Sequence, residues 1–279
     1  MAKKDENGGA VRFLYGTVPG RMALKLLAGR GISKAAGRFL DSPASKFLIP
    51  VFIKNCGIDL SDYQTTGWSC FNDCFTRKLK SPKLRPFSER AEDLCAPCDG
   101  LLSVYPIDKG RVLPIKQSLH TISELLGGSP LARRYREGTA LVFRLCVDHY
   151  HRYAYLDEGT KGSNRFIPGE LHTVRPAALQ SLPVFTRNCR EFTCLETKNF
   201  GPVTQVEVGA MLVGKIKNHH GACHFERGEE KGLFLYGGST VVLLLEKDRA
   251  ELDPALQKAQ TTGEEIPVKM GQVIGRAIH

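Results

Sequence analysis

No run of 18 apolar residues occurs in these 279 residues, so no segment is expected to cross a bilayer as a helix. The first residues, Met1-Ala-Lys-Lys-Asp-Glu-Asn-Gly-Gly9, lack the apolar stretch of a secretory signal, which places the expected location on the cytosolic side. There the nine cysteines (56, 70, 74, 95, 98, 146, 189, 194 and 223) are expected to be reduced thiols rather than a disulfide framework. Internal repeats and low-complexity tracts are also missing, which excludes repeat arrays.

What is present suits a folded protein: 42% hydrophobic residues, 24% charged residues and ample length for a core. The formal charge of +10 is unevenly spread. Residues 1–90 carry 16 Lys/Arg against 7 Asp/Glu, and residues 91–279 carry 23 against 22. An anionic partner is therefore expected for the N-terminal third alone. That third is apolar as well as basic, which favours a membrane surface over nucleic acid; the alternative is a merely solvated basic face.

The chain is expected to divide into a polar, glycine-rich tail at residues 1–10, expected to be disordered, a basic helical region at 11–90 suited to docking on a membrane, and a β-rich domain at 91–279, which would carry any catalytic site. From Val11 to Ile53 apolar residues (Met22, Leu24, Leu26, Leu27, Ile32, Phe39, Phe47, Val51) alternate with Lys25, Arg30, Lys34, Arg38 and Lys46. Breaks at Pro19-Gly20, Gly29, Gly31 and Pro43 predict two or three short amphipathic helices. Another helix is expected over Ser61–Lys80, with Ser81–Pro86 as a linker. Beyond Leu94, short apolar runs at Leu101–Tyr105, Arg111–Ile115, Ala140–Val147, Thr204–Val208 and Met211–Lys217 alternate with glycine turns and predict antiparallel strands. Thr121 and Glu124 have the spacing of a capping box, and Gly127 ends the helix they open. The expected fold class is α+β: N-terminal amphipathic helices, then a mainly antiparallel β domain.

The stretch Leu233–Glu246 reads as two apolar strands joined at Gly237-Gly238-Ser239-Thr240. By pattern alone this is a hairpin with a glycine turn. It also sets a serine hydroxyl beside the carbonyl of Gly238, which a hydroxyl can attack when a base takes its proton.

Phe225-Glu-Arg-Gly-Glu-Glu-Lys-Gly-Leu-Phe-Leu-Tyr-Gly-Gly-Ser-Thr-Val-Val-Leu-Leu-Leu-Glu-Lys247 resembles the cleavage region of phosphatidylserine decarboxylases. Asn199-Phe-Gly-Pro-Val203, Val208-Gly-Ala-Met-Leu-Val-Gly214 and the leading segment from Tyr15 to Ile53 are similar to that family too. The resemblance implies a proenzyme that cuts itself between Gly238 and Ser239. Ser239 then becomes a pyruvoyl cofactor, and chains 1–238 and 239–279 stay together as a heterodimer. It further implies phosphatidylserine in an anionic membrane as substrate, decarboxylated to phosphatidylethanolamine, and a peripheral location on the cytoplasmic face. Neither a metal nor a pyridoxal lysine is implied, and nucleic acid is not an expected partner.

Cys95-Ala-Pro-Cys-Asp-Gly100 resembles the family's Pro-x-Asp-Gly motif, which makes Asp99 the carboxylate that orients the base. Val147-Asp-His-Tyr-His-Arg-Tyr-Ala154 resembles its Asp-Tyr-His-Arg-x-His stretch. The first family histidine falls on His151 and the second on Ala154, which cannot act as a base. His172, in Gly169-Glu-Leu-His-Thr-Val-Arg-Pro176, is the second candidate, and His149 is the third. Two zinc-like patterns carry less: Cys70-x3-Cys74 with Cys95-x2-Cys98, and His219-His220-x3-His224, which Gly221 turns into a loop. Two rivals stay open, an uncleaved homologue that only binds anionic lipid and a pyruvoyl decarboxylase of a soluble amino acid.

Neutralising Lys25, Arg30, Lys34 and Arg38 is expected to weaken sedimentation with anionic vesicles by about 1 kcal/mol per charge. Added salt should shrink the difference, and unchanged binding at low salt would leave a merely solvated basic face.

Overall fold

The computed structural model describes Phe13, Thr17 and residues 30–108, 113–115, 118–170, 172, 184–209, 215–236 and 239–278. The expected tail at 1–10, most of the leading helical stretch, parts of the strands expected at Arg111–Ile115 and Met211–Lys217, and Gly238 lie outside these residues. The α+β architecture is as expected. A nine-stranded antiparallel sheet runs in the order Cys223–Phe225, Gly159–Lys161, Arg190–Thr197, Gly201–Val208, Ser239–Leu245, Thr139–Leu145, Gly100–Pro106 and Ile266–Val268, with Arg165–Ile167 also paired to Arg190–Thr197. A second sheet joins Ile216–Asn218, Glu230–Phe234 and Arg152–Ala154, and a third joins Asp93–Cys95, Val273–Ala277 and Ala250–Leu252.

Every residue of Ser239–Leu245 is buried. The strand is covered on both faces, which explains an uninterrupted apolar run instead of alternation. Val241, Leu243 and Leu245 pack with Leu102, Leu141, Phe143 and Phe234 on one face. Val242 and Leu244 pack with Tyr135, Val142 and Val206 on the other. Its edges are filled as well, by Thr139–Leu145 on one side and Gly201–Val208 on the other.

Those filled edges overturn the hairpin. Glu230–Phe234 cannot pair with Ser239–Leu245, and belongs to the second sheet, against Ile216–Asn218 and Arg152–Ala154. The chain thus passes from one sheet to another across the Gly237-Gly238 junction, and Ser239 opens a strand instead of sitting in a turn. A buried ion pair ties the sheets together: Lys231 Nζ lies 2.7 Å from Glu207 Oε1, both side chains fully buried, and also donates to Asn218 Oδ1 at 2.9 Å.

The capping box at Thr121 forms as expected, with Glu124 N donating to Thr121 Oγ1 at 3.0 Å and Thr121 N to Glu124 Oε2 at 3.1 Å. The helix expected over Ser61–Lys80 shrinks to Phe71–Phe75. Tyr63 instead bridges Leu79 in an antiparallel pair, and Gly67 turns the chain at a positive φ of 83°. The described N-terminal helices, Arg30–Leu40 and Leu48–Cys56, lead into a third apolar cluster. In it Leu40, Ile49, Phe52, Phe71, Cys74 and Phe75 receive Val147, Leu235 and Tyr236 from the β domain.

Because removing one member of a buried pair strands the other, Lys231→Met should destabilise the uncleavable Ser239→Ala chain by about 3–5 kcal/mol. Lys231→Met with Glu207→Leu should recover most of that loss in urea unfolding. Additive losses in the double variant would show that the pair does not couple the sheets.

Candidate active site

Three neighbouring strands bring the expected residues to one end of the main sheet. Ser239 starts its strand opposite Leu145, the last residue of Thr139–Leu145. A tight turn follows Leu145, closed by His149 N donating to Cys146 O at 3.0 Å. On the far side of Thr139–Leu145, Gly100 opens the third strand, with Asp99 just before it. Antiparallel pairing therefore gathers Asp99, the Cys146–His149 turn and Ser239, although 140 residues separate the first from the last. Gly100 permits a close approach: a Cβ there would lie 3.2 Å from the Arg144 carbonyl oxygen.

His151 follows the turn and is completely buried. Phe75 lies against its ring, centroids 4.0 Å apart, and Phe234 N donates to its carbonyl at 2.9 Å. Its Nδ1 is 2.9 Å from the carbonyl oxygen of His149. A carbonyl only accepts, so Nδ1 carries the hydrogen and, in the neutral ring, Nε2 is a bare lone pair. Burial, then the Arg77 charge, then His149 push the His151 pKa well below the ordinary value and hold the ring neutral. Nε2 has no hydrogen-bond partner. The histidine is thus presented as a base, dry and unengaged.

His149 is the opposite tautomer. Its Nδ1 accepts from Cys146 N at 3.1 Å, which puts the proton of the neutral ring on Nε2. Burial lowers its pKa, Asp148 and Asp99 counter that, and Arg144 and Arg77 add to it. His149 is suited to donate.

His172 stands on the other flank of Ser239. Asn188 holds its backbone, accepting from His172 N at 2.9 Å and donating to its carbonyl at 2.7 Å. The same Asn188 reaches Gly209 O at 2.6 Å, one residue past Val208, the partner of Thr240. Its Nε2 lies 2.7 Å from Glu170 Oε2.

Asp99 is anchored by other groups. Arg85 donates to both carboxylate oxygens, at 3.1 and 3.2 Å, and Met270 N donates at 2.8 Å. The expected linker is therefore pinned to the site through Arg85. Asp99 faces the histidine turn as a fixed negative charge, while the group that holds His151 Nδ1 is the carbonyl of His149.

Among the described residues, seven buried side-chain polar atoms lack a partner, and four of them belong to this region: Ser239 Oγ, Thr240 Oγ1, His151 Nε2 and Arg77 Nε. Buried polar atoms without partners are rare and mark strain or function. Ala154, at the position of the missing histidine, is buried in the strand Arg152–Ala154 with its N donating to Pro97 O at 2.8 Å.

Sequence reading missed Arg77, Thr240 and Asn72, whose Oδ1 accepts from Tyr236 N at 3.1 Å, two residues before Gly238. Asn72 lies in Phe71-Asn-Asp-Cys-Phe75, whose dense aromatic and apolar content was the available signal. Cys146, Asp148 and His149 have potential metal-ligand atoms within 4.8 Å of one another. The thiol already accepts from Arg144 Nη1 at 3.4 Å and Nδ1 of His149 is engaged, so no ion is assigned there.

The arrangement defines a class: an α+β fold with a buried, unpartnered serine at the start of a central strand and a dry, neutral imidazole after the turn that ends the neighbouring strand. The chain belongs to the phosphatidylserine decarboxylase family, whose profile matches residues 71–276. It is 43% identical to phosphatidylserine decarboxylase proenzyme 2 of Clostridium acetobutylicum, over 98% of this chain and 94% of that one. Phosphatidylserine decarboxylase proenzymes of Ruminiclostridium cellulolyticum and Clostridium kluyveri are 39% and 36% identical, covering 97% and 95% of this chain and 92% and 91% of theirs.

His151→Ala is expected to slow self-cleavage by about 10²–10⁴-fold, and Asp99→Ala to slow it as well. His172→Ala should cleave normally; blocked cleavage there, with intact cleavage in His151→Ala, would move the base to His172. A base must be neutral to act, and the His151 pKa is depressed by burial and by Arg77. Cleavage of freshly refolded chain should therefore persist at pH 5.5, where an ordinary imidazole is about nine-tenths protonated. A rate that falls away near pH 6.5 would contradict this.

Proposed function

We propose that this protein is a phosphatidylserine decarboxylase made as a proenzyme, which cleaves itself at Gly238–Ser239 and then converts phosphatidylserine to phosphatidylethanolamine and carbon dioxide. The observation that carries the reading is the presence of two unpartnered buried groups in a member of this family: the Ser239 hydroxyl, which starts its strand opposite Leu145, and the bare Nε2 of His151, just past the turn that follows Leu145.

In cleavage, Ser239 Oγ attacks the Gly238 carbonyl carbon and gives its proton to His151 Nε2. The Gly238–Ser239 C–N bond breaks as its nitrogen takes a proton, leaving an ester. Loss of the residue-239 α-proton and departure of the Gly238 carboxylate leave dehydroalanine; water then replaces its nitrogen, which leaves as ammonia, and a pyruvoyl group remains. Ser239 fits this origin, since its hydroxyl is buried and no protein partner competes for it.

The pyruvoyl group supplies an electron sink for departure of the substrate carboxylate. His149, held neutral by burial, presents its Nε2–H as a hydrogen-bond donor beside this site. Asp99, held by Arg85, keeps a negative charge against the histidine turn in both steps.

Docking at an anionic membrane surface is supported by the N-terminal helices. Of the seven large exposed apolar residues among those described, Phe13, Phe39, Phe47 and Val51 lie there, Phe47 at 67% and Val51 at 55% exposure. Exposed Arg38, Lys46 and Lys54 stand among them. Apolar side chains rimmed by cations suit an anionic headgroup layer. No helix among the described residues is long and apolar enough to cross a membrane.

On a denaturing gel the wild-type protein should run as fragments 1–238 and 239–279, with a pyruvoyl group on the smaller fragment by mass spectrometry. Ser239→Ala should stay one chain and make no phosphatidylethanolamine. A wild type that stays whole would favour a lipid-binding homologue. A cleaved, pyruvoyl-bearing enzyme that decarboxylates only a soluble amino acid would favour the other rival.

A further inference from the structure

The three consecutive residues Phe75, Thr76 and Arg77 grip the histidine stretch from the N-terminal region. Phe75 covers the His151 ring, and the Thr76 carbonyl accepts from Arg152 Nε at 2.9 Å. Arg77 Nη2 donates to the carbonyls of Asp148 and His149, at 2.7 and 3.0 Å. The His149 oxygen is the one that holds His151 Nδ1–H, so its two lone pairs are filled by Arg77 and by His151.

Arg77 is 1% exposed, and among the described residues no carboxylate pairs with it. Its cation lies over the Tyr63 ring, 4.5 Å from the centroid, and Nη1 makes a longer contact to Phe75 O at 3.4 Å. A buried guanidinium without a counter-ion is expensive. A neutral donor would serve if bracing the turn were the whole task.

Resting on the proposed role of His151 as base, we propose that Arg77 is a positioning residue for self-cleavage: its guanidinium fixes the His149 carbonyl that sets the tautomer of His151. Without it, the His149 peptide is free to turn and the hydrogen can move to Nε2, which removes the lone pair that the proposed cleavage uses. The cation also polarises the carbonyl it binds, which strengthens the second hydrogen bond that the oxygen accepts. The nearby positive charge adds to burial in keeping the ring neutral.

The test uses the full chain, refolded from denaturant and followed by gel, with His151 read by ¹⁵N NMR in the uncleavable Ser239→Ala background. Arg77→Ala should slow cleavage by at least ~100-fold. Methylguanidinium, but not sodium, should restore part of the rate. Ser239→Ala should show His151 as one tautomer, protonated at Nδ1, and Ser239→Ala with Arg77→Ala should show a mixture. Should Arg77→Ala fail to fold, Arg77→Lys takes its place, expected to fold and to cleave at an intermediate rate because the lysine side chain is one bond shorter and its ammonium reaches the two carbonyls less closely than Arg77 Nη2 does. A folded Arg77 variant that cleaves at the wild-type rate, or keeps the single tautomer, overturns the proposal while leaving the decarboxylase reading intact. A wild type that never cleaves overturns the reading itself.

Discussion

The site depends on one hydrogen bond, from His151 Nδ1 to the carbonyl of His149. An imidazole in water samples both tautomers and titrates near neutrality. Here a carbonyl that cannot donate chooses the tautomer, and a dry setting removes the competing proton. The cost of leaving Nε2 without a partner is met by packing on every side: Phe75 across the ring, Phe234 on the backbone and Arg77 behind the carbonyl. An imidazole held this way keeps its tautomer without a carboxylate in contact with it, and Asp99 is correspondingly bonded to Arg85 and Met270.

The N-terminal region has two faces. Outward it shows Phe39, Phe47 and Val51 with basic neighbours. Inward, Phe52, Phe71 and Phe75 pack edge-on to Tyr236, with ring centroids 4.9–6.2 Å apart, and Asn72 holds the Tyr236 amide. The segment proposed to meet the lipid surface therefore also holds Tyr236, just before the Gly237-Gly238-Ser239 junction, and, through Arg77, the carbonyl that His151 Nδ1 binds.

Local patterns were legible where burial writes itself into composition. The apolar runs at Leu101–Tyr105, Ala140–Val147 and Thr204–Val208 announced the strands Gly100–Pro106, Thr139–Leu145 and Gly201–Val208, and Thr121 with Glu124 announced a helix start. Pairing was less legible, because strand order is a non-local choice. Nothing in Leu233–Phe234 says that its partners are Arg152 and Ile216 rather than the strand that follows at once. The Ser61–Lys80 helix failed because Thr65-Thr66-Gly67 breaks the period and Tyr63 finds a bridge partner instead. His151 and Ser239 were legible through resemblance, but the tautomer was not, since it belongs to a carbonyl and not to a residue type. Arg77 was hidden for a simpler reason: one cation in a basic stretch looks like its solvated neighbours until its burial is known.

The position of Ser239–Leu245 between two long strands bears on the enzyme's lifetime. If the chain is cut at Gly238–Ser239 as proposed, the 41-residue piece stays laced by backbone ladders to Thr139–Leu145 and Gly201–Val208, with its side chains in both cores. The new terminus at residue 239 could then not be exchanged without dismantling the sheet. Folding of the mature protein, by contrast, would require two separate molecules to meet, with no covalent loop to hold their ends together and no serine left to process again. The mature state is then a kinetic trap entered once, through a single-chain precursor. Its durability is governed by an unfolding barrier rather than by an equilibrium.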